Sequence, residues 1–265
     1  MSHTLGYTVN CSLLFTELPI NERPQAVRDA GFHAVEFWWP FESATPPRAD
    51  IDAFVTAIDT AGVSLTGLNL FAGRLPGPDR GVLSHPDRIA ELRANIEVVA
   101  QIAEHTGTTG FNALYGLRQQ GVDPDEQDRV ALENTLAAAE RVAKLGGTIF
   151  IEPLSGAEDY PLKTAAEALA FIAKVREAGA DNVALLADFF HLAVNGDDVA
   201  AVVRDHAAEF GHVQIADAPG RGEPGTGELP LDELLSASQA GGYQGLVSLE
   251  YEPTVPSAES FAWLR

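Results

Sequence analysis

The chain has 265 residues, 46% of them hydrophobic, which is enough for a sizeable core, and a formal charge of −21 from 17 Lys+Arg against 38 Asp+Glu. That charge repels phosphate backbones and argues against a nucleic-acid partner. No run approaches the roughly 18 apolar residues a membrane span needs, the N-terminus MSHTLGYTVN lacks the basic-then-apolar order of a signal peptide, and the single cysteine, Cys11, admits no internal disulfide and points to a reducing cytoplasm.

Apolar, β-branched stretches recur along the chain at 5–10, 33–39, 63–70, 108–115, 147–152, 182–187, 211–216 and 244–250, and each predicts a strand. Between them lie Ala-rich, charge-bearing segments of helical period at 20–30, 49–61, 86–105, 126–145, 163–178, 197–209 and 231–240. In 126–145, Val130, Leu132, Leu136, Ala139 and Val142 are expected on one face, with Glu133, Glu140, Arg141 and Lys144 on the other. Glycines at 31, 62, 146, 147, 179, 241 and 242 follow these segments as helix stops. Strands alternating with helices over about 250 residues predict an α/β fold, a single (β/α)8 TIM barrel over residues 1–265. No Gly-rich dinucleotide fingerprint follows the first strand, where Asn10-Cys11-Ser12-Leu13 stands instead.

In such a barrel, active sites form at the C-terminal ends of the strands. Here those ends are polar: Glu36 and Asn69 on the second and third strands, Glu152 on the fifth, Asp188 on the sixth, Gln214 and Asp217 on the seventh, Glu250 on the eighth. Glu152, Asp188, Gln214 and Glu250 come from four successive strands about 4.8 Å apart and can converge on one point. Three carboxylates that close repel one another, and a divalent cation removes the repulsion. An all-oxygen set favours Mg²⁺ or Mn²⁺ over Zn²⁺. The competing reading is that each acid caps the next helix or faces water.

His191 follows Asp188 by three residues, and a helix starting there places it at the same rim. It is then either a donor to a substrate oxygen or a structural residue packed on Phe190. Arg221 sits in a loop leaving the seventh strand, among Gly220, Gly222, Gly225 and Gly227. Its planar donor fork suits a substrate hydroxyl or carboxylate; pairing with Glu223 is the alternative. The run Phe37-Trp38-Trp39-Pro40-Phe41 and Tyr115 are placed to wall the site.

At these residues the chain resembles the hydroxypyruvate isomerase family of xylose-isomerase-like TIM barrels. The resemblance covers nearly the whole chain, in YTVNCSLLFTELP, GFHAVEFWWPF, LNLFAG, NALYG, IEPL, HVQIADAPGRGEPGTGE and GLVSLEYEP. It implies metal ligands at Glu152, Asp188, Gln214 and Glu250, with Glu152 and Glu250 also the acid/base pair. Related ketose epimerases have a D-x-x-H histidine and an arginine after the seventh strand that bind substrate, matching His191 and Arg221, and Asn69 and Tyr115 complete the expected substrate contacts. Three places depart from the family's pattern: Ser155 stands where Asn is usual, Arg74 where an acid is, and 192–198 lacks the usual Gln and basic residue. They leave the metal site alone and open the substrate to siblings of hydroxypyruvate such as a 2-oxo-tetronate.

The expected activity is a cytoplasmic isomerase acting on a small molecule, interconverting an α-hydroxy aldehyde and an α-hydroxy ketone through an enediolate. A ketose 3-epimerase uses the same cage on a longer sugar. An apurinic-site endonuclease of this barrel class resembles a His-rich multi-zinc site with a basic groove, which the charge and the single rim histidine disfavour. Barrels of this kind often assemble as homo-oligomers, and no segment of the sequence marks an interface.

Overall fold

The computed structural model describes residues 2–264. Eight parallel strands close into a barrel in chain order: β1 Tyr7–Asn10, β2 Ala34–Phe37, β3 Ser64–Asn69, β4 Gly110–Asn112, β5 Thr148–Ile151, β6 Val183–Asp188, β7 Phe210–Ile215 and β8 Val247–Leu249. The expected (β/α)8 TIM barrel is therefore the observed fold, with every strand shorter than or shifted from its apolar run. Helices α1 Arg23–Asp29, α2 Arg48–Ala61, α3 Ile89–Thr106, α4 Pro124–Ala143, α5 Ala165–Glu177, α6 Phe189–Val194, α7 Val199–His206 and α8 Leu231–Ala240 lie between them. No helix among the described residues is long and apolar enough to cross a membrane.

Local chemistry sets the helix ends. Asp123 caps α4 by accepting from the Asp125 N–H, with Pro124 at the first turn. Thr164 and Glu167 form a reciprocal capping box on α5. Gly62 and Gly107 end α2 and α3 at φ +64° and +72°, left-handed positions where a side chain is costly. The buried face of α4 differs from the expected one. It runs through Val130, Ala131, Asn134, Ala138 and Val142, while Leu132 and Leu136 lie half-buried beside it. Small residues let the helix approach the barrel, and Asn134 is satisfied there by donating Nδ2 to the Leu83 carbonyl at 2.8 Å.

Register decides which side chains share a level inside the barrel. Asn10 pairs with Glu36, Asp188 with Gln214, and Gln214 with Ser248. Glu250 lies two residues beyond Ser248 and so projects to the same side, one layer nearer the rim. On β3, Gly67 leaves room for the Glu36 side chain: a Cβ there would sit 3.1 Å from both Glu36 Cβ and Oε2.

Candidate active site

At the C-terminal mouth of the barrel lies a cavity of about 590 Å³, into which Glu152, His191, Arg221, Glu250, Asn69 and Trp38 project. Glu152 stands just past β5 and is buried. Its Oε2 accepts from Asn112 Nδ2 at 2.6 Å. Asp188 ends β6 and serves two purposes. Its Oδ1 caps α6, accepting from the backbone N–H groups of Phe190 (2.8 Å) and His191 (3.2 Å). Among the described residues its Oδ2 is buried and without a hydrogen-bond partner, as is Oε1 of the register-paired Gln214. The capping role weighed against the site from sequence is thus real, and it uses only half of the carboxylate.

His191 rides on the first turn of α6. One ligand atom each from Glu152, Asp188 and His191 fall within 4.8 Å of one another. His191 Nε2 is 3.7 Å from Asp188 Oδ2 and 3.9 Å from Glu152 Oε1. The Ser155 backbone N–H donates to Nδ1 at 3.2 Å, and the Ser155 hydroxyl lies 2.7 Å from the same atom. A backbone N–H can only donate, so Nδ1 accepts and the proton of the neutral ring is assigned to Nε2. Burial pushes the imidazole down to about pKa 4; Asp188 opposes this, and Arg221 and Arg80 add to it. His191 therefore presents a neutral N–H donor to the cavity, and an Nε2 that carries a proton is not free to ligate a metal.

Glu250 lies just past β8 with both oxygens engaged. Oε1 accepts from Arg221 Nη2 at 3.0 Å and Trp38 Nε1 at 3.2 Å. Oε2 accepts from Asn10 Nδ2 at 2.8 Å and from Gln214 Nε2. The four expected ligands thus gather at one rim but not as four free donors: Asp188 and Gln214 keep an unpartnered oxygen, and Glu250 is covered by protein donors. Burial, then Asp188, raises Glu152 to about pKa 8, opposed by Asn112 and Arg221. Burial also raises Glu250 well above the usual carboxylate range, with Arg221 opposing and Glu152, Glu36 and Asp188 adding to it. Two buried carboxyls with raised affinity for protons suit proton transfer to and from carbon near neutral pH. Two orphaned buried oxygens beside a crowd of carboxylates fit a divalent cation.

The loop after β7 explains Arg221. Asp217 staples it from inside, its carboxylate accepting from the backbone N–H groups of Ala218, Gly225 and Leu229 at 2.8–3.0 Å. Arg221 adopts φ +59° and lies 5.5 Å over the Phe190 ring. Its Nε is buried with no hydrogen-bond partner among the described residues. The expected alternative pairing with Glu223 is not seen; Glu223 accepts instead from Thr254.

Other expectations need correcting. Tyr115 turns away from the cavity: its hydroxyl donates to Asp128 Oδ1 at 2.5 Å and its ring packs on Phe171. The reason is that β4 ends at Asn112, three residues before the predicted end, so Tyr115 lies in the following loop. Of the aromatic run, only Trp38 reaches the cavity; Phe37 packs on Phe54 and Trp39 on Phe41. In 192–198, Val194 lines the cavity, while Asn195 donates to the carbonyls of Leu154 and Lys163 and Asp198 caps α7. Arg74 is exposed beside Asp79.

Three further residues belong to the site without a sequence signal that marks them: Arg80, from the loop after β3, and Asn10 and Asn112 at the strand ends, which hold Glu250 and Glu152. Glu36 lies below them, and Burial there opposes its ionisation, but His212, Ser248 and Gln214 outweigh it and bring its pKa down to about 2. A lone Glu inside an apolar strand was the available signal, since a buried charge requires partners.

Residues 24–265 match the sequence profile of the family described as xylose isomerase-like TIM barrel. A protein of Streptomyces coelicolor named "Putative hydroxypyruvate isomerase" is 53% identical over 97% of this chain and 95% of its own. A 2-oxo-tetronate isomerase of Cupriavidus necator is 30% identical, covering 98% and 97%. Among solved structures, a Brucella melitensis protein titled AP endonuclease, family 2, superposes with TM-score 0.88 at 28% identity, covering 98% of both chains.

Proposed function

We propose that this chain, which belongs to the hydroxypyruvate isomerase family of xylose isomerase-like TIM barrels, interconverts a short hydroxy-oxo-acid and the isomer in which the carbonyl and the neighbouring hydroxyl have exchanged carbons. Relatives that bear the names of hydroxypyruvate and 2-oxo-tetronate isomerases support an isomerase of small hydroxy-oxo-acids. The substrate we favour is hydroxypyruvate, giving tartronate semialdehyde, or a close relative such as a 2-oxo-tetronate. The observation that carries the reading is the placement of two buried carboxyls, Glu152 and Glu250, at the mouth of the barrel beside the orphaned oxygens of Asp188 and Gln214.

Glu152, Asp188, Gln214 and Glu250 would hold the ion, with Glu250 exchanging one of its present hydrogen bonds. Mg²⁺ or Mn²⁺ bound there supplies positive charge against the negative charge that develops on the two substrate oxygens. One glutamate removes the proton from the carbon beside the carbonyl, leaving an enediolate, and the other returns a proton to the neighbouring carbon. The hydroxyl proton passes to the former carbonyl oxygen, and the glutamate that took the carbon proton loses it to water while the one that gave a proton regains one, which resets the pair for the next turnover. The His191 Nε2–H donates to a substrate oxygen, and its neutrality keeps it from competing for the acid/base role at neutral pH. Arg221 and Arg80, both lining the cavity, hold the carboxylate. Trp38 and Phe190 wall the cavity against water.

An endonuclease needs affinity for a phosphate backbone, which a charge of −21 opposes. A panel of short hydroxy-oxo-acids and free ketoses, assayed with and without EDTA, tests the proposal. Turnover of the acids that stops with EDTA is expected; turnover of fructose or tagatose alone would make it a ketose 3-epimerase.

A further inference from the structure

One buried carboxylate lies beneath the proposed site and has no part in the chemistry described so far. Glu36 comes from β2, on the side of the barrel away from Glu152 and Asp188, and is 3% exposed. Its Oε1 accepts from three side chains: Asn10 Nδ2 at 2.9 Å, Gln214 Nε2 at 2.9 Å and Ser248 Oγ at 2.6 Å. Its Oε2 accepts from His212 Nε2 at 2.7 Å, and the His212 ring stacks on Phe150 at 5.6 Å with an 11° interplanar angle.

Two of these donors are shared with Glu250. Asn10 Nδ2 reaches Glu36 Oε1 and Glu250 Oε2, and Gln214 Nε2 reaches the same two oxygens. The result is a closed ring of two carboxylates and two amide NH₂ groups. Each NH₂ has two hydrogens, and each carboxylate takes one of them. An amide carries its donor and acceptor on opposite branches. Binding the Gln214 NH₂ inward therefore leaves its carbonyl oxygen outward, and that oxygen is the one found buried and unpartnered.

We infer that Glu36 is a positioning residue: with Glu250 it captures the Gln214 NH₂ and so aims the Gln214 oxygen, beside Asp188 Oδ2, at the cation. Without a carboxylate below, the two ends of the amide are nearly equivalent in shape, and half of the orientations would offer N–H groups to a metal. His212 and Ser248 hold Glu36 in place, and Gly67 leaves its side chain room. The inference rests on Gln214 being a ligand, as proposed above.

The test reads Mn²⁺ affinity by electron paramagnetic resonance of the free ion, together with hydrogen exchange of the Gln214 side-chain NH₂. The NH₂ resonance in ¹⁵N-glutamine-labelled protein is assigned by its loss in Gln214→Glu. In metal-free wild type, those protons are expected to exchange far more slowly than those of surface glutamines. Glu36→Gln keeps the shape and removes the acceptor charge, and it should weaken Mn²⁺ binding 10- to 100-fold. The exchanged pair E36Q/Q214E restores one carboxylate and one amide in the ring and offers an oxygen in either orientation. It should recover most of the lost affinity and bind Mn²⁺ more tightly than Gln214→Glu alone, in which two carboxylates face each other; a merely structural role for Glu36 would not produce that order. Freely exchanging Gln214 protons in the wild type, wild-type affinity in folded E36Q, or an exchanged pair no better than E36Q would each overturn the inference. Absence of Mn²⁺ binding in the wild type would instead sink the proposed function, while the exchange measurement still reads the Glu36–Gln214 contact.

Discussion

The backbone N–H of Ser155 points at Nδ1 of His191 from 3.2 Å, and this one contact fixes which ring nitrogen faces the cavity. The Ser155 hydroxyl, close to the same ring nitrogen, is how the departure at position 155 reaches the site. Ser155→Ala keeps the backbone donor and removes the hydroxyl 2.7 Å away. It should lower kcat/KM less than tenfold, whereas His191→Ala should cost about 100-fold, as expected for one donor to a developing charge. With His191 near pKa 4, neither variant should change the shape of the pH–rate profile between pH 6 and 8. Steady-state kinetics across that range checks both claims.

Glu152 links metal binding to pH. Its pKa in the metal-free fold is about 8, against about 4.5 in the unfolded chain. The folded state holds the proton more tightly, so this group's contribution to stability is complete below about pH 4.5 and is lost as pH rises towards 8. A cation must displace that proton, and the one that the raised Glu250 also holds, so metal affinity should fall at least about tenfold for each pH unit below about 8. The rise in Tm on adding Mn²⁺ should be larger at pH 8 than at pH 6; an equal or smaller rise at pH 8 contradicts the assignment.

Arg80 and Arg221 are separable. Arg80 donates Nη1 to the Gly77 and Asp79 carbonyls of its own loop and touches neither proposed acid/base residue. Arg80→Met should raise KM for an oxo-acid by 10- to 100-fold with little change in kcat, and should narrow the preference over a neutral ketose. Arg221 also donates to Glu250, so Arg221→Met should lower kcat as well. Competition kinetics with an acid and a neutral ketose reads the difference.

Tyr115 belongs to the packing around the barrel. Tyr115→Phe removes the hydroxyl donated to Asp128 and should cost about 1 kcal/mol of stability while leaving kcat/KM unchanged. Urea melts and a single assay suffice; a catalytic defect would return Tyr115 to the site.

The barrel was legible because apolar runs alternate with helical periods all along the chain; Glu152, Asp188 and Glu250 stood out because each closes such a run, and Gln214 because it is the polar side chain near the end of another. Glu36 was visible as a polar side chain in HAVEFWW, but its partner His212 is 176 residues away, and only barrel closure brings them together. His212 lies near the start of β7, away from the polar strand ends, and its hold on Glu36 was hidden for the same reason. Tyr115 was misplaced because β4 breaks off at Asn112, inside an apolar stretch that runs on without a stop signal. Arg80 sits in a Pro- and Gly-rich loop with no periodicity to show which way its side chain points.

Deuterium incorporation tests the central claim most directly. Mn²⁺-loaded wild type and Glu152→Gln, each shown to hold one ion per chain, are given hydroxypyruvate in D₂O and the product is read by NMR. The account predicts deuterium at the carbon that gains hydrogen in the wild type, and turnover at least 1,000-fold slower in Glu152→Gln with its metal in place. Product free of deuterium, or a metal-loaded Glu152→Gln that turns over like the wild type, would contradict it.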